Sequence, residues 1–444
     1  MSFRPEQSAR AVGVLLLGAV VLSGCGWFGE TEGEPLPGER IPVMIYRSDL
    51  EPDPRLANQR VVLPPSYSNL SWTQAGGGPL HAIGHVDGPT EIGKPAWTSD
   101  IGTGIGGYRP LLAEPVTSGG RIWTMDTKYR ISAFDTGKGK RLWRISLEIP
   151  DWDSEAFGGG LAYDSGRLYV TTGFGEVVGL NAEDGAVEWR TKVLSPVRAA
   201  PLVSGGMVYV VLLDNQLSAL DAETGEKRWR HAGFSEPAML LGGPVPAGLD
   251  GTVIVPYSSG EIFALRASNG RATWSDNLAA VRRIDATAAM ADIKALPVTD
   301  GKLVYAISHS GRMVAIDLRT GARAWERNVG GVRTPWIAGD WIFVLSNQSQ
   351  ILCLSRRDGR IRWIMQLENF EDPKTRTEAV HWIGPLLIAG QLLAVGSHGE
   401  VVAISPANGE EIARFKIPKS VVNAIVSDKT LYLLTENADL RAYR

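Results

Sequence analysis

The sequence predicts an all-β protein: an eight-bladed β-propeller of four-stranded antiparallel blades, in which an N-terminal strand closes the ring. Three observations carry this prediction: a repeat at about 40–50 residues, short apolar strands between turn residues, and half-patterns near the two ends of the chain. We predict a signal peptide over 1–24, a lipidated cysteine and flexible tether over 25–66, a lead-in segment over 67–92 and the propeller over 93–444.

The repeat is a small residue followed by Gly six positions later and, in all but the last copy, by Trp four positions after the Gly. The fifth copy has Ala315, Gly321 and Trp325 at these positions. Each Gly suits a tight hairpin turn that needs a positive φ, and the Trp falls on the strand that follows. The glycines of the seven copies are Gly139, Gly185, Gly225, Gly270, Gly321, Gly359 and Gly409.

A further apolar strand precedes each copy after another Gly-containing turn, as in 166–170, 206–210 and 301–305. Each unit therefore has about four short antiparallel strands, which is typical of a propeller blade. The chain ends in a strand at 440–444, just before its turn, and 93–97 supplies the missing Gly-to-Trp half. One split unit and seven complete units predict eight blades without an open edge between the first and the last. Two smaller all-β domains are the alternative.

Composition excludes some classes of function. The chain has 444 residues with 45 Lys and Arg against 48 Asp and Glu, a net charge of −3, so we do not expect a nucleic-acid partner, which would require excess positive charge. Hydrophobic residues make up 44% and charged residues 21%, which argues against a mostly disordered chain.

The N-terminus predicts export. Arg4 and Arg10 precede an uncharged stretch, 11–22, that is too short to span a hydrocarbon core of ~30 Å. Residues 22–25, Leu-Ser-Gly-Cys, resemble the lipobox of bacterial lipoproteins, which implies that Cys25 is lipidated and anchors the chain in a membrane. In such lipoproteins an Asp after the lipidated Cys implies retention at the inner membrane. Gly26 stands there instead, which implies the periplasmic face of the outer membrane. An ordinary secretory signal with an incidental Cys is the alternative.

The stretch that follows, as far as residue 66, is rich in Glu, Pro, Gly and Arg and predicts a solvated tether. If Cys25 carries lipid, Cys353 has no partner for an intramolecular disulfide, since the chain has two Cys.

The blade pattern at 315–325 resembles the tryptophan-docking repeat of the pyrroloquinoline quinone (PQQ) propeller superfamily. The resemblance implies that each Trp packs between blades and that its N–H finds a carbonyl. With the lipobox, the tether, 96–106, and Asp285 and Asp292 with their neighbours, the chain more narrowly resembles the BamB family of lipoproteins. This implies a non-enzymatic scaffold of the outer-membrane β-barrel assembly machinery (BAM). It would bind the POTRA domains of BamA and other BAM subunits, with nascent outer-membrane β-barrel proteins as further candidate partners.

The same resemblance implies a partner surface on the loops between blades. Carried over by position, it includes Met239, Leu240 and Leu241 in one loop and Asp285 and Asp292 in another. The apolar run could anchor a partner or begin a buried strand. The acids could pair with cations on a partner or cap turns. The family commonly has Arg at the position of Leu241 and a second acid at that of Lys294. The charged contacts that these two positions make with a partner in the family would therefore differ here.

A PQQ-dependent dehydrogenase is the rival hypothesis. Such enzymes need an acidic base that also binds Ca²⁺ and usually adjacent cysteines, whereas Cys353 occupies a position that is Ala in five other repeats. His81 and His85 are four apart, but they lie in a Gly-rich stretch that does not predict a helix. We therefore expect no catalytic residue, cofactor or metal. A periplasmic ligand-binding propeller remains a third alternative.

Overall fold

The computed structural model describes residues 50–444 except 108, 150–155, 238, 280–289 and 421. It contains eight four-stranded antiparallel sheets and one two-stranded hairpin, as predicted for a propeller. Two short 3₁₀ helices, η1 at Pro54–Leu56 and η2 at Ala75–Gly77, precede the blades. Among the described residues, no helix has the length and apolar character needed to cross a membrane.

The first strand, β1 at Trp97–Asp100, belongs to the last blade, and blades 1 to 4 follow it in the chain. Blade 1 contains β2 Val116–Ser118, β3 Arg121–Met125, β4 Arg130–Asp135 and β5 Arg141–Ser146. Blade 2 contains β6 Gly159–Asp164, β7 Arg167–Thr172, β8 Glu176–Asn181 and β9 Val187–Lys192. Blade 3 contains β10 Leu202–Ser204, β11 Met207–Val211, β12 Gln216–Asp221 and β13 Lys227–Ala232. Blade 4 contains β14 Ala247–Leu249, β15 Thr252–Pro256, β16 Glu261–Arg266 and β17 Ala272–Asn277.

Blades 5 to 8 continue in the same way, with one hairpin between blades 6 and 7. Blade 5 contains β18 Val298–Thr299, β19 Leu303–Ile307, β20 Met313–Asp317 and β21 Arg323–Arg327. Blade 6 contains β22 Trp336–Ala338, β23 Trp341–Leu345, β24 Gln350–Ser355 and β25 Ile361–Gln366, and the hairpin is β26 Phe370–Asp372 with β27 Thr377–Ala379. Blade 7 contains β28 Trp382–Ile388, β29 Gln391–Gly396, β30 Glu400–Ile404 and β31 Glu411–Lys416. Blade 8 contains β32 Ile425–Ser427, β33 Thr430–Leu434, β34 Asp439–Tyr443 and β1.

The ring closes where the sequence predicts. Strand β1 pairs antiparallel with β34, with Trp97 opposite Ala442 and Asp100 opposite Asp439. The N-terminal strand is therefore the outermost strand of blade 8. This pairing ties the start of the propeller to its C-terminus and leaves blade 8 with the same four strands as the others.

The repeated Trp packs between a blade and the next one for seven of the eight blades, since blade 7 has Ala413 at this position. Gly321 has a φ of 75°, and a Cβ added there would lie 2.5 Å from Cβ of Trp274 in the preceding blade. The indole Nε1 of Trp274 donates to the carbonyl of Leu318 across 2.7 Å. The same bond is made by five further pairs: Trp97 with Thr136, Trp189 with Ala222, Trp229 with Ala267, Trp325 with Arg356, and Trp363 with Pro406.

Trp143 departs from this pattern. The corresponding carbonyl, Ala182, accepts from Trp123 across 3.1 Å instead. Nε1 of Trp143 consequently has no hydrogen-bond partner among the described residues. The packing of Trp143 against Gly185 is retained, since a Cβ on that glycine would lie 2.9 Å from the indole.

The hydrophobic core lies between neighbouring blades. One cluster combines Tyr305 and Ala315 of blade 5 with Ile342 and Leu354 of blade 6, all of them buried. Because side chains alternate between the two faces of a strand, each blade contributes one face to the core before it and the other to the core after it. Each blade therefore needs both neighbours, which requires a closed ring.

The lead-in segment circles the inside of the ring. In order along the chain it hydrogen-bonds with the innermost strand of every blade, and this places it across one end of the central channel. The pairs are Asn69 with Val426, Trp72 with Thr117, Thr73 with Tyr163, Gln74 with Val203, Pro79 with Gly248, Leu80 with Thr299, Gly84 with Trp336, and Val86 with Leu387.

Part of the predicted tether is packed rather than solvated. Leu56 is buried, and Val61 and Leu63 pack against the core between blades 6 and 7. The backbone N–H of Asp53 donates to the carbonyl of Ile361 across 2.8 Å. Residues 50–66 therefore belong to the same compact unit as the propeller, although the sequence pattern places them in the tether. The sequence pattern does not predict this packing, because the apolar run 61–63 is short, shows no periodicity and stands among Pro and charged residues.

Candidate functional site

One end of the ring carries all connections between blades. Within a blade the four strands alternate in direction, so each connection runs from an outermost strand to the next innermost strand at the same end. We call this end the loop face. Its described residues are 101–107, 109–115, 147–149, 156–158, 193–201, 233–237, 239–246, 278–279, 290–297, 328–335, 367–381, 417–420 and 422–424.

The apolar run predicted as a docking anchor lies on the loop face, in the connection from blade 3 to blade 4. Met239 and Leu240 are half-buried, and Leu241 is 48% exposed. The run does not begin a strand, because β14 starts at Ala247.

Asp292 lies in the connection from blade 4 to blade 5 and is only 2% exposed. Its Oδ2 accepts a hydrogen bond from the backbone N–H of Leu240 across 2.8 Å, whereas Oδ1 has no partner among the described residues. Burial raises the pKa of this carboxyl, and the bond from Leu240 lowers it. Asp292 thus holds the neighbouring loop instead of offering an exposed charge. Asp285 lies outside the described residues, as does Cys25.

Sequence reasoning missed Phe234, which is 73% exposed on the loop face. Its backbone is held at both ends: the N–H donates to the Glu261 carboxylate across 2.7 Å, and the carbonyl accepts from Nδ2 of Asn215 across 2.6 Å. A large aromatic in a polar connection, between Gly233 and Pro237, was the available signal. Ile105 and Leu194 are further exposed apolar side chains on this face.

Beneath the loop face the central channel widens into a cavity of about 330 Å³. Every blade contributes to its wall, chiefly through residues just before an innermost strand, and Ala75 of the lead-in segment lies at its floor. Leu241 belongs both to the loop face and to the cavity wall. A partner that covers Leu241 would therefore also lie over the mouth of the cavity.

Charged side chains reach into this cavity from four connections, and one of them is Arg198, whose guanidinium lies over the ring of Phe157. Lys294, Arg333 and Glu114 all line it, and each keeps part of its surface open to it. Burial, and then the nearby Arg333, lower the pKa of Lys294 to about 8. Burial also raises the pKa of Glu114, against the hydrogen bond from Asn423 that lowers it. The wall of the cavity thus holds three cationic side chains, Arg198, Lys294 and Arg333, beside one carboxyl group, Glu114, whose charged form is disfavoured by burial.

The described part of the chain does not bring together the donors that a PQQ enzyme would use. Among the described residues, no three His, Cys, Asp or Glu side chains form a group able to hold a metal ion. Cys353 is buried in the core between blades 6 and 7, and burial raises the pKa of its thiol. His81 donates from Nδ1 to the carbonyl of Pro297 across 2.8 Å. His85 binds Pro64 and Gly390 with its two nitrogens, so both histidines have structural partners.

Comparisons with solved structures agree with the propeller. The crystal structure of BamB from Moraxella catarrhalis superposes with a TM-score of 0.64 and 18% identity, covering 78% of this chain and 99% of that one. A europium-containing methanol dehydrogenase also gives a TM-score of 0.64, with 14% identity over 82% of this chain and 89% of that one. At these identities the likeness establishes the fold alone, which hosts both kinds of protein.

Comparisons of the sequence identify the family. The outer membrane protein assembly factor BamB of Yersinia pestis is 26% identical over 364 residues, 80% of this chain and 88% of the relative. A family profile described as outer membrane protein assembly factor BamB matches residues 127–365, which include the Leu240 and Asp292 loops. The chain belongs to the family of the outer membrane protein assembly factor BamB.

Proposed function

We propose that the chain is a non-enzymatic scaffold of the outer-membrane β-barrel assembly machinery and that its loop face binds the POTRA domains of BamA. Its family supports the general role, and one structural observation supports the surface: apolar side chains are exposed there on backbone that is hydrogen-bonded in place. Phe234 is held by bonds of its own backbone, and Leu241 follows Leu240, whose N–H is bonded to Asp292.

The physical argument concerns entropy and burial. An exposed aromatic or Leu on a fixed loop loses little conformational freedom when a partner covers it, so most of the gain from burial is kept. Burial of a side chain of this size contributes about 1.5–3 kcal/mol. Asp292 supports the surface from below, because its bond to Leu240 restricts the loop that carries Leu241.

The lipid anchor completes the proposal. With Cys25 lipidated, the propeller would be tethered to the periplasmic face of the outer membrane, where barrel precursors arrive. Mass spectrometry of the purified chain tests this point, because lipidation after cleavage gives a diacylglyceryl-modified N-terminus at Cys25. An unmodified N-terminus there, or one elsewhere, would contradict it.

The rival dehydrogenase hypothesis is tested directly by turnover. An artificial electron acceptor is supplied with PQQ, Ca²⁺ and simple alcohols, beside a known PQQ dehydrogenase as the positive control. We expect no reduction of the acceptor above that seen with protein boiled beforehand. Alcohol-dependent reduction would overturn the non-enzymatic assignment.

The docking surface is tested by capture of the full chain, in detergent, on immobilised POTRA domains from the same organism. We expect Phe234→Glu and Leu241→Glu each to reduce capture at least tenfold, because each places a charge in a desolvated contact. Ile412→Glu is the matched control, since Ile412 is 50% exposed but lies within β31 and outside the loop face. Equal capture of all three variants would reject the surface, and no capture of the parent would reject the partner.

A further inference from the structure

We propose that the channel cavity beneath the loop face binds a small organic carboxylate, held by Lys294 and Arg333. The proposal concerns the isolated chain and does not depend on a BAM partner. It follows from the shape of the cavity, from the cations that line it and from the apolar remainder of its wall.

The cavity is closed below. The lead-in segment hydrogen-bonds to the innermost strand of blade after blade and lies across the other end of the channel. The cavity volume of about 330 Å³ corresponds to roughly ten water molecules in the liquid. This space fits a molecule of about ten non-hydrogen atoms and excludes a folded domain.

Neither Lys294 nor Arg333 forms a hydrogen bond or an ion pair with an acidic side chain of the described residues. Lys294 makes no hydrogen bond or ion pair with any described residue, and Arg333 uses only Nε, which donates to the carbonyl of Trp382 across 2.9 Å. Its two terminal nitrogens have no described partner. A carboxylate accepts parallel hydrogen bonds from a guanidinium, and a neighbouring ammonium adds charge, so one carboxylate would satisfy both residues.

The nearby acids do not replace this ligand. Glu114 interacts with Arg333, but it also accepts from Asn423, and its burial favours the neutral form. Asp292 interacts with Lys294, but its carboxylate is engaged with Leu240 and is likewise destabilised by burial. The cavity therefore keeps an excess of positive charge that an anion from solution would neutralise.

The rest of the wall indicates the remainder of the ligand. Leu112, Val245, Leu296 and Val332 line the same cavity, and such a wall favours an apolar body over a second charge. The class is thus a monocarboxylate with a compact apolar body.

Thermal unfolding of the full chain in detergent tests the proposal with 3-phenylpropionate as the probe. At pH 7 and constant ionic strength, we expect the Tm to rise by about 2 °C or more at saturation. The isosteric neutral amide, 3-phenylpropanamide, should leave the Tm unchanged. Equal shifts with acid and amide, or no shift with the acid, would overturn the proposal.

Two variants locate the effect. Lys294→Met should abolish the shift, and its own Tm should equal or exceed that of the parent because a repulsion with Arg333 is removed. Lys302→Met, at an exposed turn of blade 5, should retain the shift. A full shift in Lys294→Met would reject this site. If the acid has no effect but Lys294→Met loses capture by POTRA domains, the carboxylate belongs to the partner and the free-ligand proposal fails.

Discussion

The buried carboxylate of Asp292 accepts a hydrogen bond from the backbone N–H of Leu240 across 2.8 Å, and this bond joins two neighbouring connections of the loop face. Asp292→Asn keeps an oxygen acceptor without a charge, so we expect nearly unchanged stability and capture. Asp292→Leu leaves the Leu240 N–H unpaired and should lower the free energy of unfolding by about 1–3 kcal/mol. Urea denaturation and POTRA capture measure the two effects. Loss of capture by Asp292→Asn would instead indicate direct contact between this charge and the partner.

Two Gly→Ala substitutions distinguish the stability cost of crowding the repeat Trp from the cost of placing Ala at a positive φ. Gly321 and Gly251 have φ values of 75° and 76°, but only at Gly321 would a Cβ meet a neighbour, Cβ of Trp274 at 2.5 Å. Gly251→Ala should cost about 1 kcal/mol from φ alone. Gly321→Ala should cost a further 1–3 kcal/mol, roughly, from overpacking. Equal losses in urea denaturation would show that the Trp moves away freely.

The unpaired indole of Trp143 predicts an unequal response to Trp→Phe substitution. Trp274→Phe removes a 2.7 Å bond to Leu318 and should cost about 1 kcal/mol beyond the lost packing, because the carbonyl is left unpaired. Trp143→Phe removes a donor that has no partner, so its cost should be smaller. Thermal unfolding of the two variants gives the comparison. A larger loss of stability for Trp143→Phe would contradict the finding that the Ala182 carbonyl accepts from Trp123 and not from Trp143.

His81 predicts a loss of stability in acid. Burial lowers its pKa to about 4 from an ordinary value of 6.5, against the bond to Pro297 that raises it. Between these values the unfolded chain binds a proton that the folded chain does not. The contribution of His81 to the free energy of unfolding therefore falls by roughly 3 kcal/mol as the pH drops from 6.5 to 4.

The variant His81→Asn checks this slope, the change in the free energy of unfolding with pH. Asn tolerates the positive φ of 56° at this position and can still donate to a carbonyl. We expect urea denaturation of the variant to depend less on pH between 6.5 and 4 than that of the parent. Substitution of the exposed His381 by Asn serves as the control and should leave the slope unchanged. An unaltered slope in His81→Asn would assign the acid sensitivity to other groups.

The blades could be predicted from the sequence because the residues that determine them lie close together in the chain. A Gly with positive φ, an alternating strand and a Trp at fixed spacing recur within each unit, so the repeat predicts the strands, the turns and the number of blades. The split motif at Trp97 likewise predicts closure by β1, since a half-unit can be completed only by its missing strands.

The sequence by itself thus determined the eight-bladed ring and the family. Only the tertiary structure decided that Asp292 is buried beneath Leu240, that Phe234 is exposed on fixed backbone, and that Lys294 and Arg333 face one cavity. Each of these relationships joins residues from different connections or blades. Their separation in the chain leaves no periodic pattern, because ring closure, and not local propensity, brings the connections together at one end.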